Sequence, residues 1–154
     1  MMRYLNPFRL ASYVLVLYAL GHTLGAVVGT PSFGAESDAV VVAMKAVHVQ
    51  AQGSDCTWYG FYRGFGIFVS IYFAFSAFMA WRLGGAEERE RSALLPLAWA
   101  LFASHVVGLV VACAYFFPVP MAFSGVTSAL LGLACARAAV RAPVASRGRE
   151  GLAS

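Results

Sequence analysis

The chain has 154 residues, of which 60% are hydrophobic and 12% charged, and a formal charge of +4; its mean hydropathy of +0.72 lies above the range of soluble domains. The length suits one domain, and the arginines gather at the ends of long uncharged runs and in the C-terminal segment rather than along a basic face, which excludes nucleic acid as a partner. Cys56, Cys113 and Cys135 have neither CxxC nor zinc-type spacing, so buried structural cysteines are expected, with a Cys56–Cys113 bridge geometrically conceivable.

Four apolar runs cover about 10–29, 61–83, 94–117 and 119–140. Each reaches the roughly 20 residues that carry a helix across a hydrocarbon core of about 30 Å. None has Asp, Glu or Lys in its middle. The first run is read as a span rather than a cleaved signal peptide, because it is too long for an h-region. Arg3, Arg9, Arg82, Arg89, Arg91, Arg137, Arg141, Arg147 and Arg149 flank one side of the predicted spans, and only Lys45 and Arg63 the other. Positive flanks stay in the cytoplasm, so both termini are expected there.

The first outer loop, 30–60, is too long to be structureless. A short interfacial helix is predicted over 39–52, with Lys45, His48 and Gln52 on its polar side, and a strand through Val40–Val42 as the alternative. Trp58, Tyr59 and Tyr62 would mark the headgroup level. The segment 84–92, with Glu87 to Arg91, reads as a solvated charged turn, and 141–154 as a disordered cytoplasmic tail. The fold class is therefore all-α, a four-helix transmembrane bundle with a short interfacial helix in the first outer loop.

Helices in lipid associate through small residues at four-residue spacing. Gly21, Gly25 and Gly29 form such a stripe on the first run, Ala100, Ser104, Gly108 and Ala112 on the third, and Ser128, Gly132 and Ala136 on the fourth. An internal similarity relates the first and third runs: Gly21-His22-x-x-Gly25-x-Val27-Val28 matches Ser104-His105-x-x-Gly108-x-Val110-Val111. Both histidines fall roughly 16 to 18 Å from the inner boundary at about 1.5 Å per residue, near the midplane. An ionisable residue there needs a partner or a cavity.

Four readings follow. In the structural one, each imidazole is neutral and bonds to a neighbouring helix, with Thr23, Ser70, Ser76, Ser104, Thr127 and Ser128 as available partners. In the second, a hydrophobic small molecule or lipid occupies a pocket opening toward the outer leaflet. Tyr59, Phe61, Tyr62, Phe65, Phe68 and Tyr72 would line it, His22 and His105 would form its polar floor, and Lys45, His48 and Arg63 its mouth. The third is a b-type haem with His22 and His105 as axial ligands. Proton or ion transport, the fourth, lacks intramembrane carboxylates, and an enzyme would have only His48 and Asp55 as outer-loop acid–base candidates. The expected function is binding of membrane lipid or a hydrophobic small molecule. A structural subunit that contacts a protein partner or a second copy of itself is the main alternative.

The stretch Tyr18-Ala19-Leu20-Gly21-His22-Thr23-Leu24-Gly25, followed by Met44-Lys45 and Tyr62-Arg63-Gly64-Phe65-Gly66, resembles a family of small uncharacterised bacterial four-helix integral membrane proteins. The resemblance covers the first half of the chain best. It implies a bacterial inner-membrane location and brings no activity. It also implies that Gly21, His22, Lys45, Arg63, Gly64 and Gly66 converge at the outer ends of the first two helices, though such glycines serve equally in close packing.

Overall fold

A computed structural model describes residues 6–29 and 32–141. Arg3, and the segment expected to be a tail with Arg147 and Arg149, lie outside the described residues. The described residues are helical apart from one two-stranded hairpin and short connections. Helix α1 (Pro7–His22) runs into a π-helical turn (Thr23–Val28), followed by α2 (Ala35–Ala46), β1 (His48–Ala51), β2 (Ser54–Thr57), α3 (Trp58–Gly85), α4 (Glu88–Tyr115) and α5 (Pro118–Arg141). The four long helical segments are long and apolar enough to cross a membrane. The chain is thus an integral membrane protein of the all-α, four-helix class read from its sequence.

The ends of these helices follow from local chemistry. The Asn6 side chain caps α1 by accepting the Arg9 backbone N–H at 2.9 Å. Thr57 does the same for α3, its hydroxyl accepting the Gly60 N–H at 3.0 Å, which starts the helix three residues before the apolar run. Helix α4 starts at Glu88, not at the apolar boundary, because Glu87 and Glu90 form a capping box. The charged segment expected to be a solvated turn is therefore largely the first turn of α4. Pro118 opens α5, where its missing N–H and fixed φ cost nothing.

The chain divides into two compact units, Met1–Val14 with Ser76–Ser154, and Leu15–Phe75. In the first unit all four long helices meet: Phe8 of α1, Leu83 of α3, Leu94 and Ala98 of α4 and Ala138 of α5 surround a void of about 10 Å³. Close approach of α1 to α3 runs through Ala11, Ser12, Ala77 and Ala80, all buried, and the Ser12 hydroxyl donates to the Ala77 carbonyl at 2.8 Å. Helices α4 and α5 pack on each other, with Gly132 against the Phe102 ring. Elsewhere the surface is apolar: Leu17, Val107 and Val110 are each at least 60% exposed, as a chain solvated by lipid requires.

The expected packing stripes are only partly engaged. A Cβ on Gly132 would meet the Phe102 ring at 2.9 Å and one on Gly66 would meet Val27 at 3.3 Å, whereas at Gly21, Gly25, Gly64 and Gly108 it would meet nothing within 4 Å. At Gly29 the neighbour is backbone, the Leu24 carbonyl at 2.8 Å. Ser104 is exposed, its hydroxyl donating to the Leu101 carbonyl at 2.8 Å.

The interfacial helix lies earlier than expected. Val40–Val42 are helical, so the strand alternative fails for them, while His48 and Gln52 belong to the hairpin rather than to the helix. Gln52 and Gly53 both have positive φ, 51° and 82°, the two-residue turn that joins antiparallel strands. All three cysteines are free thiols, with Cys135 buried, Cys56 half-buried and Cys113 exposed.

Candidate functional site

In the second unit, the end of α1 is tied to α3 by aromatic and hydroxyl contacts. Tyr18 stacks on Phe73 with ring centroids 4.0 Å apart, and His22 meets the same ring edge-on at 6.0 Å. His22 Nδ1 lies 3.1 Å from Ser70 Oγ. The Thr23 hydroxyl donates to the Ala19 carbonyl at 2.7 Å and lies 2.9 Å from Ser70 Oγ. Ser70 donates to the Gly66 carbonyl at 3.2 Å. With the Ser70 proton so placed, the His22–Ser70 bond closes when His22 carries its proton on Nδ1, leaving the Nε2 lone pair as the free edge.

The same residues explain the π turn. Back-bonding from Thr23 to Ala19 loads a carbonyl that the α-helical ladder also uses, and Gly21 and Gly25 lower helical preference on both sides. Such widened turns recur at functional sites. Gly66, which has no side chain, lets Val27 of the turn approach α3.

Beyond the turn, residues of the turn, α2 and the first turns of α3 enclose a pocket of about 410 Å³. Ser37, Val41 and Met44, at helical spacing, are the half-buried face of α2 and line it, with Ala26 and Gly29 on one side and Tyr59 and Tyr62 on another. Phe33, Val40 and Val42 also contribute, and are largely exposed. Polar groups converge at the rim. The Lys45 ammonium stands 4.8 Å over the Tyr59 ring, a cation–π contact, and Asp38 accepts the Ser32 hydroxyl at 2.6 Å.

Three expected site residues, Lys45, Tyr59 and Tyr62, are brought together here. His22, His48, Arg63 and His105 do not line this pocket. His48 is exposed on β1, 2.8 Å from the Asp55 carboxylate; Arg63 is exposed on α3, and His105 is buried on α4 in the first unit. Phe65 and Phe68, expected to line a pocket within the helices, are 68% and 70% exposed and turn away from it. They sit on the face of α3 that leaves Gly66 and Ser70 half-buried on the other side.

Sequence reasoning missed Asp38, Ser37 and Met44. Their signal was available in the spacing Ser37, Val41, Met44, which puts a mixed apolar stripe on one face of a helix that buries no residue fully. A second polar feature lies inside the first unit: His105 of α4 and Ser124, Thr127 and Ser128 of α5 are all buried. Among the described residues, the Thr127 and Ser128 hydroxyls have no hydrogen-bond partner. No group of three or more potential metal ligands is found among the described residues.

Comparison with protein-family models, with curated proteins and with solved structures finds no match to this chain.

Proposed function

We propose that this integral membrane protein binds one amphipathic, lipid-like molecule in the pocket beneath α2. The observation that carries the reading is the composition of that pocket: a concave space of about 410 Å³, apolar through Val41, Met44 and Ala26, with a single cation and two phenol rings at its edge. Sites for hydrophobic ligands have this build, a predominantly apolar wall with a few placed polar groups that orient the head. The apolar body of the ligand rests between α2 and the π turn, and its polar or anionic head meets Lys45, Tyr59 and Tyr62. Asp38, already bonded to Ser32, narrows the choice of head by repelling a second negative charge beside it.

The positive flanks support an orientation with both termini in the cytoplasm and α2 with the hairpin on the outer face. A bacterial inner membrane is the setting implied by the resemblance of the first half of the chain. The stretch around His22 and Ser70 stiffens the wall of the pocket in this reading and carries no ligand.

The test is mass spectrometry of lipids and other small molecules that co-purify with the full chain in detergent, compared with Val41→Trp, which fills the pocket, and Lys45→Ala, which removes the cation. A species retained by the parent and lost in Val41→Trp, with Lys45→Ala weakening it, supports the reading. Identical co-purifying species in all three proteins, each folded by thermal melting, overturns it.

A further inference from the structure

A second cavity lies in the first unit, where the beginning of α1 crosses the end of α3, and has a volume of about 470 Å³. Its lining combines two arginines, Arg9 and Arg82, with a tryptophan, Trp81, and an apolar wall through Phe78 and Leu97. The Arg9 guanidinium lies 3.5 Å from the centre of the Trp81 ring. That ring covers one face of the fork and leaves its in-plane N–H donors at the edge, the arrangement in which arginine best meets a planar or tetrahedral oxyanion.

Arg9 is held there by the chain around it. Asn6 donates from Nδ2 to the Gly84 carbonyl at 2.7 Å, fixing the start of α1 to the end of α3. The Arg9 arm then runs over Gly84 and Gly85: a Cβ on Gly84 would come to 3.0 Å from Arg9 Cγ, and one on Gly85 to 2.9 Å from Arg9 Nη2. The diglycine is the surface on which the guanidinium rests. A fork positioned in this way loses less side-chain freedom when it captures an anion.

Among the described residues neither arginine has a paired carboxylate. The one acid–base contact within salt-bridge distance among them is His48 with Asp55, so no described carboxylate stands at that distance from Arg9 or Arg82. Glu90, the acid on the rim of the cavity, turns its carboxylate to the backbone N–H of Glu87 at 3.3 Å in the capping box of α4. Phe78 and Leu97 are 58% and 43% exposed, so the cavity continues into the apolar surface of spans that lipid chains solvate. Two arginines, a tryptophan at span end and an apolar exit are the elements of a headgroup site.

We propose that the cavity lined by Arg9, Trp81 and Arg82 binds the phosphate of an anionic membrane phospholipid, whose glycerol and acyl parts leave along Phe78 and Leu97. This site is independent of the pocket beneath α2 and needs only that the four helices cross a bilayer. Arg9 supplies a directed, two-pronged contact, and Arg82 the second charge. The apolar exit, which a soluble phosphate ester has no use for, commits the site to a lipid.

The test is native mass spectrometry of the full chain in detergent with equal amounts of phosphatidylglycerol and phosphatidylcholine. The parent is expected to retain phosphatidylglycerol in preference to phosphatidylcholine by about ten-fold, and Arg82→Gln to reduce that preference to near unity, the effect of losing a charge-assisted contact. Arg9→Gln should do the same and Arg9→Lys should fall between, since it keeps the charge without the stacked fork. Arg9→Gln also loosens α1 from α3; Arg82→Gln removes no bond within the described structure and keeps the test decisive if Arg9→Gln fails to fold. Parent and variants are compared in the Val41→Trp background, which fills the pocket beneath α2, so that the preference read is that of this site alone. Equal retention of the two lipids by the parent, or a preference that survives in folded Arg82→Gln, overturns the proposal. Full displacement of the lipid by millimolar glycerol 3-phosphate would also overturn it by making the site one for a soluble phosphate.

Discussion

His22 and Ser70 are joined across α1 and α3 by a bond of 3.1 Å, and Ser70 is also the point at which Thr23 and Gly66 meet. Removing the serine strands more than one group in a setting with little water to replace it. Ser70→Ala is expected to destabilise the protein by about 1 to 2 kcal/mol, and adding His22→Leu should recover part of the loss because the imidazole no longer seeks a partner. Reversible unfolding in mixed micelles measures both. Additive losses in the double variant would mean that the two residues do not interact.

The pocket beneath α2 and the cavity beside Arg9 are lined by neither His22 nor His105. Purified protein is therefore expected to be colourless, with no Soret band before or after dithionite. A band lost in both His22→Ala and His105→Ala would instead establish a bis-histidine haem.

Thr127 is fully buried and its hydroxyl has no hydrogen-bond partner among the described residues. Valine has the same shape without the polar atom, so Thr127→Val is expected to stabilise the fold by about 1 kcal/mol. A melting temperature that falls in this variant would reveal a bond that the hydroxyl makes in the membrane.

Gly132 and Gly108 look alike in sequence, each within a stripe of small residues, and differ in place. Gly132→Leu must push into Phe102 of α4 and is expected to cost about 1 to 3 kcal/mol. Gly108→Leu meets open space on a lipid-facing side and should be neutral or slightly stabilising, since glycine lowers helical preference by up to about 1 kcal/mol. Side-by-side melts of the two variants separate packing from mere pattern.

The four spans were legible because length and apolarity dominate over everything else a membrane helix needs. Helix ends were less so: Glu87 and Glu90 start α4 by bonding to backbone, which hydropathy does not register. The loop was half legible. A helix near Lys45 was expected and is present, yet the turn at Gln52 and Gly53 was overlooked because glutamine is an uncommon residue for positive φ. In the site, Lys45, Tyr59 and Tyr62 could be grouped from chain position, since α2 and the start of α3 are joined by a short hairpin. The aromatics Phe65 and Phe68 were misplaced because a phenylalanine facing lipid and one facing a ligand have the same hydropathy.

The hairpin offers a local check. Gly53 has φ 82°, so Gly53→Val is strained there, while Gln52→Asn puts a residue that tolerates positive φ at a position whose own φ is 51°. Amide exchange at Val49 and Cys56, which pair across the strands, should accelerate in the first variant and slow in the second. Unchanged exchange in both would show that the strands are held by something other than their turn.

The π turn closes its last bond five residues back, from Gly29 N–H to the Leu24 carbonyl at 2.8 Å. Gly29 itself is extended, past the end of the turn, so the Gly21, Gly25, Gly29 repeat is not one helical seam. The widened turn also acts as a phase setter. An α-helix advances about 100° per residue and a π turn less, so the same residues wound as a regular α-helix would carry Val27 about a quarter turn away from Gly66, whereas losing one residue between Thr23 and Val28 would restore regular winding and leave Val27 facing nearly the same way. The stretch thus holds one residue more than a regular helical path between the same contacts needs, and a lineage could lose that residue and keep Val27 against Gly66.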